Sequence, residues 1–336
     1  MVKYMSSPNS WFPLFRSRFG RWNIFRIEVI NQLFRLLRSP KVFRLTTVGI
    51  ETNNTCNLKC KHCPTNTSMR RAKGLITWEL FQQIIDNNPE VKRVYLTNWG
   101  EPLLHPQIGE MINYARRQGK VTALTTNATL LTEKTSREIL RAGLDILKIS
   151  IDGDPVTYEK VRGFSYSRVE KNVLNFIHLR DTLGAKTWVE VSMLVFPETI
   201  PAINSFFHRW EKKVNYVQLQ PKFFTFPRQK VSSCRDLWRF LVVLWDGRIV
   251  PCCADVEGEL ELGHAAKHRL QAVFRGPQMN SLRAAHLQQK APKLCQTCLP
   301  YFTDYHLSVK KLCQLVSSSN LDHRQEGHPK KETRQL

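Results

Sequence analysis

Val48-Gly49-Ile50-Glu51-Thr52-Asn53-Asn54-Thr55-Cys56-Asn57-Leu58-Lys59-Cys60-Lys61-His62-Cys63 runs from a β-rich stretch straight into a loop with three thiols inside eight residues. Soft sulfur ligands favour zinc or iron-sulfur centres. A structural zinc site wants four closed ligands, commonly as two paired knuckles, and this loop offers no local fourth. Three thiolates suit a cubane cluster with one iron left open, and an open iron can bind a substrate or cofactor. On spacing alone a zinc or redox-dithiol site remains the alternative.

Outward from this loop the chain repeats one pattern. Val48 to Thr52 is the first of six β-rich runs, followed by Val91 to Thr97, Val121 to Thr126, Ile146 to Ile151, Trp188 to Val195 and Tyr216 to Gln220. Helical stretches are predicted between them at Thr77 to Asp86, Gln107 to Arg117, Glu133 to Arg141, Arg168 to Leu183 and Pro201 to Lys212. Thr77 with Glu79, and Thr132 with Glu133, are helix start signals. Such alternation predicts an α/β fold with a parallel sheet and right-handed crossovers, either doubly wound or a partial barrel. In both, chemistry belongs at the carboxyl ends of the strands. Asn53 to Cys63, Asn98 to Pro102, Asn127 and Asp152 all fall there.

The C-x3-C-x2-C loop, with His62 just before its last cysteine, resembles that of the radical S-adenosylmethionine (SAM) superfamily. Asn98-Trp99-Gly100-Glu101-Pro102 resembles that family's G-G-E-P motif, with Trp99 in place of the first glycine. The resemblance covers roughly residues 46 to 300 and implies a partial (β/α)6 TIM-like barrel. It further implies that Cys56, Cys60 and Cys63 hold a 4Fe-4S cluster whose open iron chelates SAM. Reduction of that cluster would then give methionine and a 5'-deoxyadenosyl radical that abstracts a substrate hydrogen. Gly100, Glu101 and Pro102 would receive the SAM ammonium. Thr126, Asn127, Ser150 and Asp152 would contact its ribose and carboxylate, Arg162 would pair with the carboxylate, and Val191 to Val195 would line the adenine. Taken singly, these are also the residues of turns, helix caps, surface arginines and buried strands.

A second set of thiols follows. Cys234 and Cys252 flank a hairpin predicted around Asp246-Gly247, between Phe240 to Trp245 and Arg248 to Val250, and Cys295-Gln296-Thr297-Cys298 closes the set. Four thiolates can complete a closed site, and a zinc ribbon has similar spacing. The arrangement resembles the shortened SPASM or "twitch" extension, a small cysteine-rich α+β unit after the barrel that carries one auxiliary 4Fe-4S cluster. Cys253 and Cys313 are left over.

Of the 336 residues, 50 are basic and 28 acidic, a formal charge of +22 that favours an anionic partner. Nine cysteines, an odd number with seven in tight clusters and Cys234 and Cys313 outside them, speak against a secreted disulfide framework. No run of eighteen apolar residues is present, and residues 1 to 30 lack the pattern of a signal peptide. The expected setting is the cytoplasm, with peripheral contact on the inner membrane face. Residues 1–45 carry nine Lys or Arg against the single acid Glu28, interleaved with aromatic residues. Ile24, Phe25, Ile27, Ile30, Phe34 and Leu37 there approximate helical spacing, as in a helix lying on an anionic membrane or docked on the enzyme's own core.

The expected organisation is thus a basic arm (1–45), a barrel (46–222), an auxiliary-cluster unit (223–316) and a disordered tail (317–336). The resemblance implies a reducing donor such as flavodoxin or ferredoxin, and an oxidoreductase. The absence of a dedicated peptide-binding domain points to a sugar, cyclitol, lipid-linked or other small-molecule substrate, with a peptide maturase as the alternative. From another class stands a zinc-stabilised nucleic-acid-binding protein. Its cations are dispersed and no known finger spacing is present, so no specific nucleic acid is expected.

Overall fold

Residues 22–221, 233–296 and 298 are described by the computed structural model. Six strands alternate with helices, β1 (Thr47–Ile50), β2 (Arg93–Tyr95), β3 (Val121–Thr126), β4 (Ile146–Ser150), β5 (Trp188–Val195) and β6 (Tyr216–Pro221). Each is parallel to its predecessor and lies directly beside it. A doubly wound sheet would reverse this order at a switch point, and these six strands never do. Successive right-handed crossovers in one direction put the returning helices on one side, and sheet twist curls the other side inward. The result is an open, partial barrel.

Strand alternation divides the residues between the two faces. Leu124, Leu147, Ile149, Val189, Val191 and Val217 join the main core, whereas Val121, Ala123 and Ile146 form a separate cluster with Tyr95 and Trp188. Successive strand side chains point to opposite faces, so the second group marks the barrel's inner side.

The predicted start signals act as caps. Thr77 accepts from the Leu80 amide to open Trp78–Asp86, and Thr132 accepts from the Thr135 amide to open Glu133–Arg141. The helix predicted at Arg168 to Leu183 is present as Tyr166–Thr182, and an unpredicted helix, Pro155–Arg162, precedes it. Asp154 caps this preceding helix, proline occupies its opening turn, and left-handed Gly163 (φ 67°) ends it. The helix predicted from Pro201 begins at Ile203, after a 3-10 turn over Pro197–Ala202.

Beyond the barrel come β7 (Phe240–Val243), β8 (Arg248–Val250) and β9 (Gly263–His264). The predicted hairpin is present, with β7 and β8 antiparallel. Yet β7 also pairs in parallel with β1 along four residues, from Thr47 opposite Phe240 to Ile50 opposite Val243. The segment expected as a separate appendage therefore continues the same sheet, in the order β6-β5-β4-β3-β2-β1-β7-β8-β9. Helices Leu270–Arg275, Pro277–Leu287 and Lys293–Gln296 follow.

The arm's expected helix is α1 (Trp22–Leu36), docked at the amino ends of the first strands. Its inward stripe is mixed, with Ile24 and Phe34 beside polar residues. Glu28 accepts from Thr46 and Thr47 and faces Arg93 at 3.5 Å, with both charges buried. Asn31 accepts from the Phe43 amide at 2.7 Å and donates to the Arg44 carbonyl at 2.7 Å. Arg35 donates to the Ser233 carbonyl at 3.2 Å. Of the apolar positions predicted to form one face, Ile24 is buried, while Ile30 and Leu37 are exposed. The expected tail, Cys313 and the first 21 residues lie outside the described residues.

Candidate functional site

A single pocket at the carboxyl ends of β2 to β6 is bounded by Cys56, Cys60 and Cys63. The loop that carries these thiols is anchored by Asn53, whose side chain donates to the Glu101 carbonyl at 2.8 Å and accepts from the Thr55 amide at 3.0 Å. Cys63 then caps the short helix Pro64–Thr67. The Cys56 side chain accepts from the Leu58 amide at 3.4 Å and from Asn127 Nδ2 at 3.6 Å. Burial pushes the Cys60 thiol up to about 11, opposed by Arg162 and reinforced by Cys63. The protein alone therefore disfavours free thiolates here, as suits ligands whose charge a metal centre neutralises. Three such donors on one wall, with an open pocket in front, fit a cluster with a vacant coordination position.

Every predicted cofactor residue except Pro102 and the alternate residues of β5 borders this pocket. Pro102 is buried and begins a 3-10 turn behind it. On β5 the lining residues are Ser192 and Leu194, while Val191, Met193 and Val195 face the main core; the expected Val191–Val195 wall is thus half right, because a strand shows alternate residues to each side. Gly100 has φ +109°, and a Cβ there would lie 2.6 to 2.7 Å from Asn53 and Thr55 oxygens, so only glycine fits.

Glu101 lines the pocket and also has a structural task. Its carboxylate accepts from Thr126 Oγ1 and the Asn127 amide, both at 2.7 Å, and from the Leu103 amide at 3.2 Å. It is 1% exposed. These bonds make it a brace between the ends of β2 and β3. Asp152 accepts from Arg162 at 2.8 Å and from the Leu194 amide at 2.8 Å. That pairing presents the guanidinium beside Cys60, where its remaining donors could take a carboxylate. The His62 ring packs edge-on against Phe196, with centroids 4.6 Å apart. Ser150 lines the pocket one turn of the pleat above Lys148.

Sequence reasoning missed several contributors. Thr97, Thr125 and Gln220 line the pocket as inward positions on their strands or strand ends, and such residues carry no motif. Buried Glu51 accepts a bidentate pair from Arg71 and a bond from Asn98 Nδ2 at 3.1 Å, holding the loop after β2. Trp99 also has a task, since its indole N–H donates to the Cys253 carbonyl at 2.8 Å and so ties the pocket to the second thiol group.

In that group Cys234 precedes the 3-10 turn Arg235–Trp238, Cys252 and Cys253 follow β8, and Cys295 and Cys298 sit at the last described turn. The thiols of Cys252 and Cys298 are held well above the usual range by burial and by charge repulsion from neighbours in the same group. Such convergence of buried thiols is suited to a metal centre and ill suited to free thiolates.

Residues 50–203 match the Radical SAM superfamily, and residues 234–299 match the iron-sulfur cluster-binding domain known as SPASM. The chain belongs to the radical SAM superfamily and carries a C-terminal SPASM domain. Its cofactors are accordingly a SAM-binding 4Fe-4S cluster, SAM itself and an auxiliary iron-sulfur cluster.

Among individual proteins, the chain is 30% identical over 115 residues to the tungsten-containing aldehyde ferredoxin oxidoreductase cofactor-modifying protein of Pyrococcus furiosus, covering 33% of this chain and 32% of that one. It is 26% identical over 294 residues to the antilisterial bacteriocin subtilosin biosynthesis protein AlbA of Bacillus subtilis, covering 74% and 63%. The matching stretches span about a third of most of these curated relatives. The crystal structure of Streptococcus suis SuiB bound to SAM shares the fold with a TM-score of 0.59 at 15% identity, covering 83% of this chain and 80% of that one.

Proposed function

We propose that Cys56, Cys60 and Cys63 hold the SAM-binding cluster, that Cys234, Cys252, Cys295 and Cys298 hold the auxiliary one, and that the enzyme oxidises a small polar substrate inside the barrel. The observation that carries this reading is the single pocket bounded by three thiols and by the polar ends of successive strands. When bound, the reduced cluster and SAM supply a 5'-deoxyadenosyl radical for hydrogen abstraction.

The chain's own residues have separate tasks. Arg162, oriented by Asp152, would bind the SAM carboxylate, while Asn127 and Ser150 would hold polar groups of the nucleoside. The Glu101 brace keeps the strand ends fixed around them. Beneath the pocket, on the inner face, Lys148 donates to Gln218 and lies near Glu190. Burial lowers the pKa of Lys148, against the raising effect of Glu190 and Cys253. The Trp99 indole bond to the Cys253 carbonyl joins the pocket wall to the residue next to Cys252, and an auxiliary cluster there would accept an electron leaving the substrate. Thiolate ligands require a reducing compartment, and a flavodoxin or ferredoxin would serve as donor.

A peptide substrate is the second reading, favoured by the match to AlbA over 74% of this chain. The test is anaerobic turnover with carbon-deuterated cyclitols, sugars and peptides, following label in 5'-deoxyadenosine. Transfer from a carbinol supports the first reading, transfer from a peptide the second, and unlabelled or absent 5'-deoxyadenosine throughout would contradict both.

A further inference from the structure

The inward stripe of α1 is mixed, with Ile24 and Phe34 beside Glu28, Asn31 and Arg35, and a second apolar stripe is left on the outside. Glu28, Asn31 and Arg35 are buried in hydrogen bonds, whereas Leu33, Leu36 and Leu37 are 48%, 64% and 77% exposed. Val29, Ile30 and Phe43 extend the patch, so that most of the exposed large apolar side chains among the described residues gather here. An ordinary surface helix keeps charged or polar residues on such an outer stripe. A contiguous apolar face of this kind marks an interaction surface.

Cations surround it. Arg26, Arg38, Lys41 and Arg44 are exposed beside the patch, and Arg44, Lys92, Arg269 and Arg275 border a groove that Phe43 enters. Glu90 in that groove pairs with Arg269 at 3.5 Å. We infer that this face of α1 docks the protein peripherally on an anionic phospholipid surface, leucines in the interface and cations on the headgroups.

Charge decides against the other occupants. Between residues 22 and 44 the one acid is Glu28, which is buried. A second copy facing this patch would set one cationic rim against another, with Glu90 at that rim already paired to Arg269. Residues 1–21 contain Lys3, Arg16, Arg18 and Arg21 and no acid, so covering the patch with them would repeat that repulsion. A negatively charged surface with an apolar interior matches both halves of the pattern. No helix among the described residues is long and apolar enough to cross a membrane, so the attachment is peripheral. Because α1 sits at the amino ends of β1 and β2, the docked protein would keep its pocket, at the carboxyl ends, turned away from the lipid. This surface is independent of the chemistry proposed above.

The full-length, anaerobically loaded protein would be floated with vesicles of phosphatidylcholine alone or mixed with phosphatidylglycerol, at low and high salt. Recovery is expected with the anionic vesicles at low salt only. It should fall roughly tenfold or more for Leu33→Glu/Leu36→Glu/Leu37→Glu. The milder Leu36→Ser/Leu37→Ser, with cluster absorbance and helix content unchanged, would show the same direction of effect in a folded protein. Residues 1–21 are present throughout, so the difference between variants reads this face. Equal recovery on neutral vesicles, no recovery at all, or unchanged binding of both variants would overturn the proposal. So would a dimer seen by light scattering that the substitutions dissolve, which would give the face to a second copy.

Discussion

Burial governs Glu101 more than its hydrogen bonds do. Desolvation pushes its pKa up to about 7, against the lowering effects of Asn127, Thr126 and Leu103. The folded-state value lies above the ordinary 4.5, so the stability linked to this group is complete below that pH and is lost as pH rises through about 7. Urea unfolding of metal-free protein is therefore expected to show wild type losing about 3 kcal/mol relative to Glu101→Gln between about pH 4 and pH 8. A pH-independent difference would contradict that assignment. At this scale the contiguous motifs were legible, because the Cys56–Cys63 loop and Gly100-Glu101-Pro102 keep their chemistry in local spacing. The engagement of both Glu101 oxygens was not, since it depends on Thr126 and Asn127 from the next strand.

Among the elements, α1 shows how far a local pattern can be read. Its helical spacing was visible, but periodicity alone offered more than one stripe, and only contacts with Arg44, Arg93 and Ser233 decide which turns inward. Asn31 carries much of that docking through two backbone partners, at Phe43 and Arg44. Asn31→Ala is expected to cost about 1 to 3 kcal/mol and to speed hydrogen exchange at the Phe43 amide relative to Ile84 in Trp78–Asp86. Unchanged exchange at Phe43 would count against the polar anchor. The strands and the Asp246-Gly247 turn were legible because alternation and turn chemistry are local signals. The parallel pairing of β7 with β1 was not, as strand partnership is a long-range choice that neither strand's own sequence announces.

For the molecule as a whole, sequential strand order creates the division of labour. It collects the three loop thiols and the strand-end polar residues at one end, leaves α1 at the other, and lets β7 carry the second thiol group alongside through the Trp99 to Cys253 bond. Alternation predicted that chemistry would lie at the carboxyl ends, and the Val191 to Val195 wall took in Ser192 and Leu194, but Thr97, Thr125 and Gln220 could not be singled out before the curvature of the sheet placed them inward. The central claim is that the cluster held by Cys56, Cys60 and Cys63 keeps one iron free for SAM. It is tested most directly by electron-nuclear double resonance on the reduced Cys234→Ala/Cys252→Ala/Cys295→Ala/Cys298→Ala protein, which retains that cluster alone, mixed with SAM labelled by nitrogen-15 at its amino group. The account predicts a nitrogen-15 hyperfine coupling that disappears when Cys60→Ala is added; a cluster spectrum without coupling, or a zinc ion in place of the iron, would contradict it.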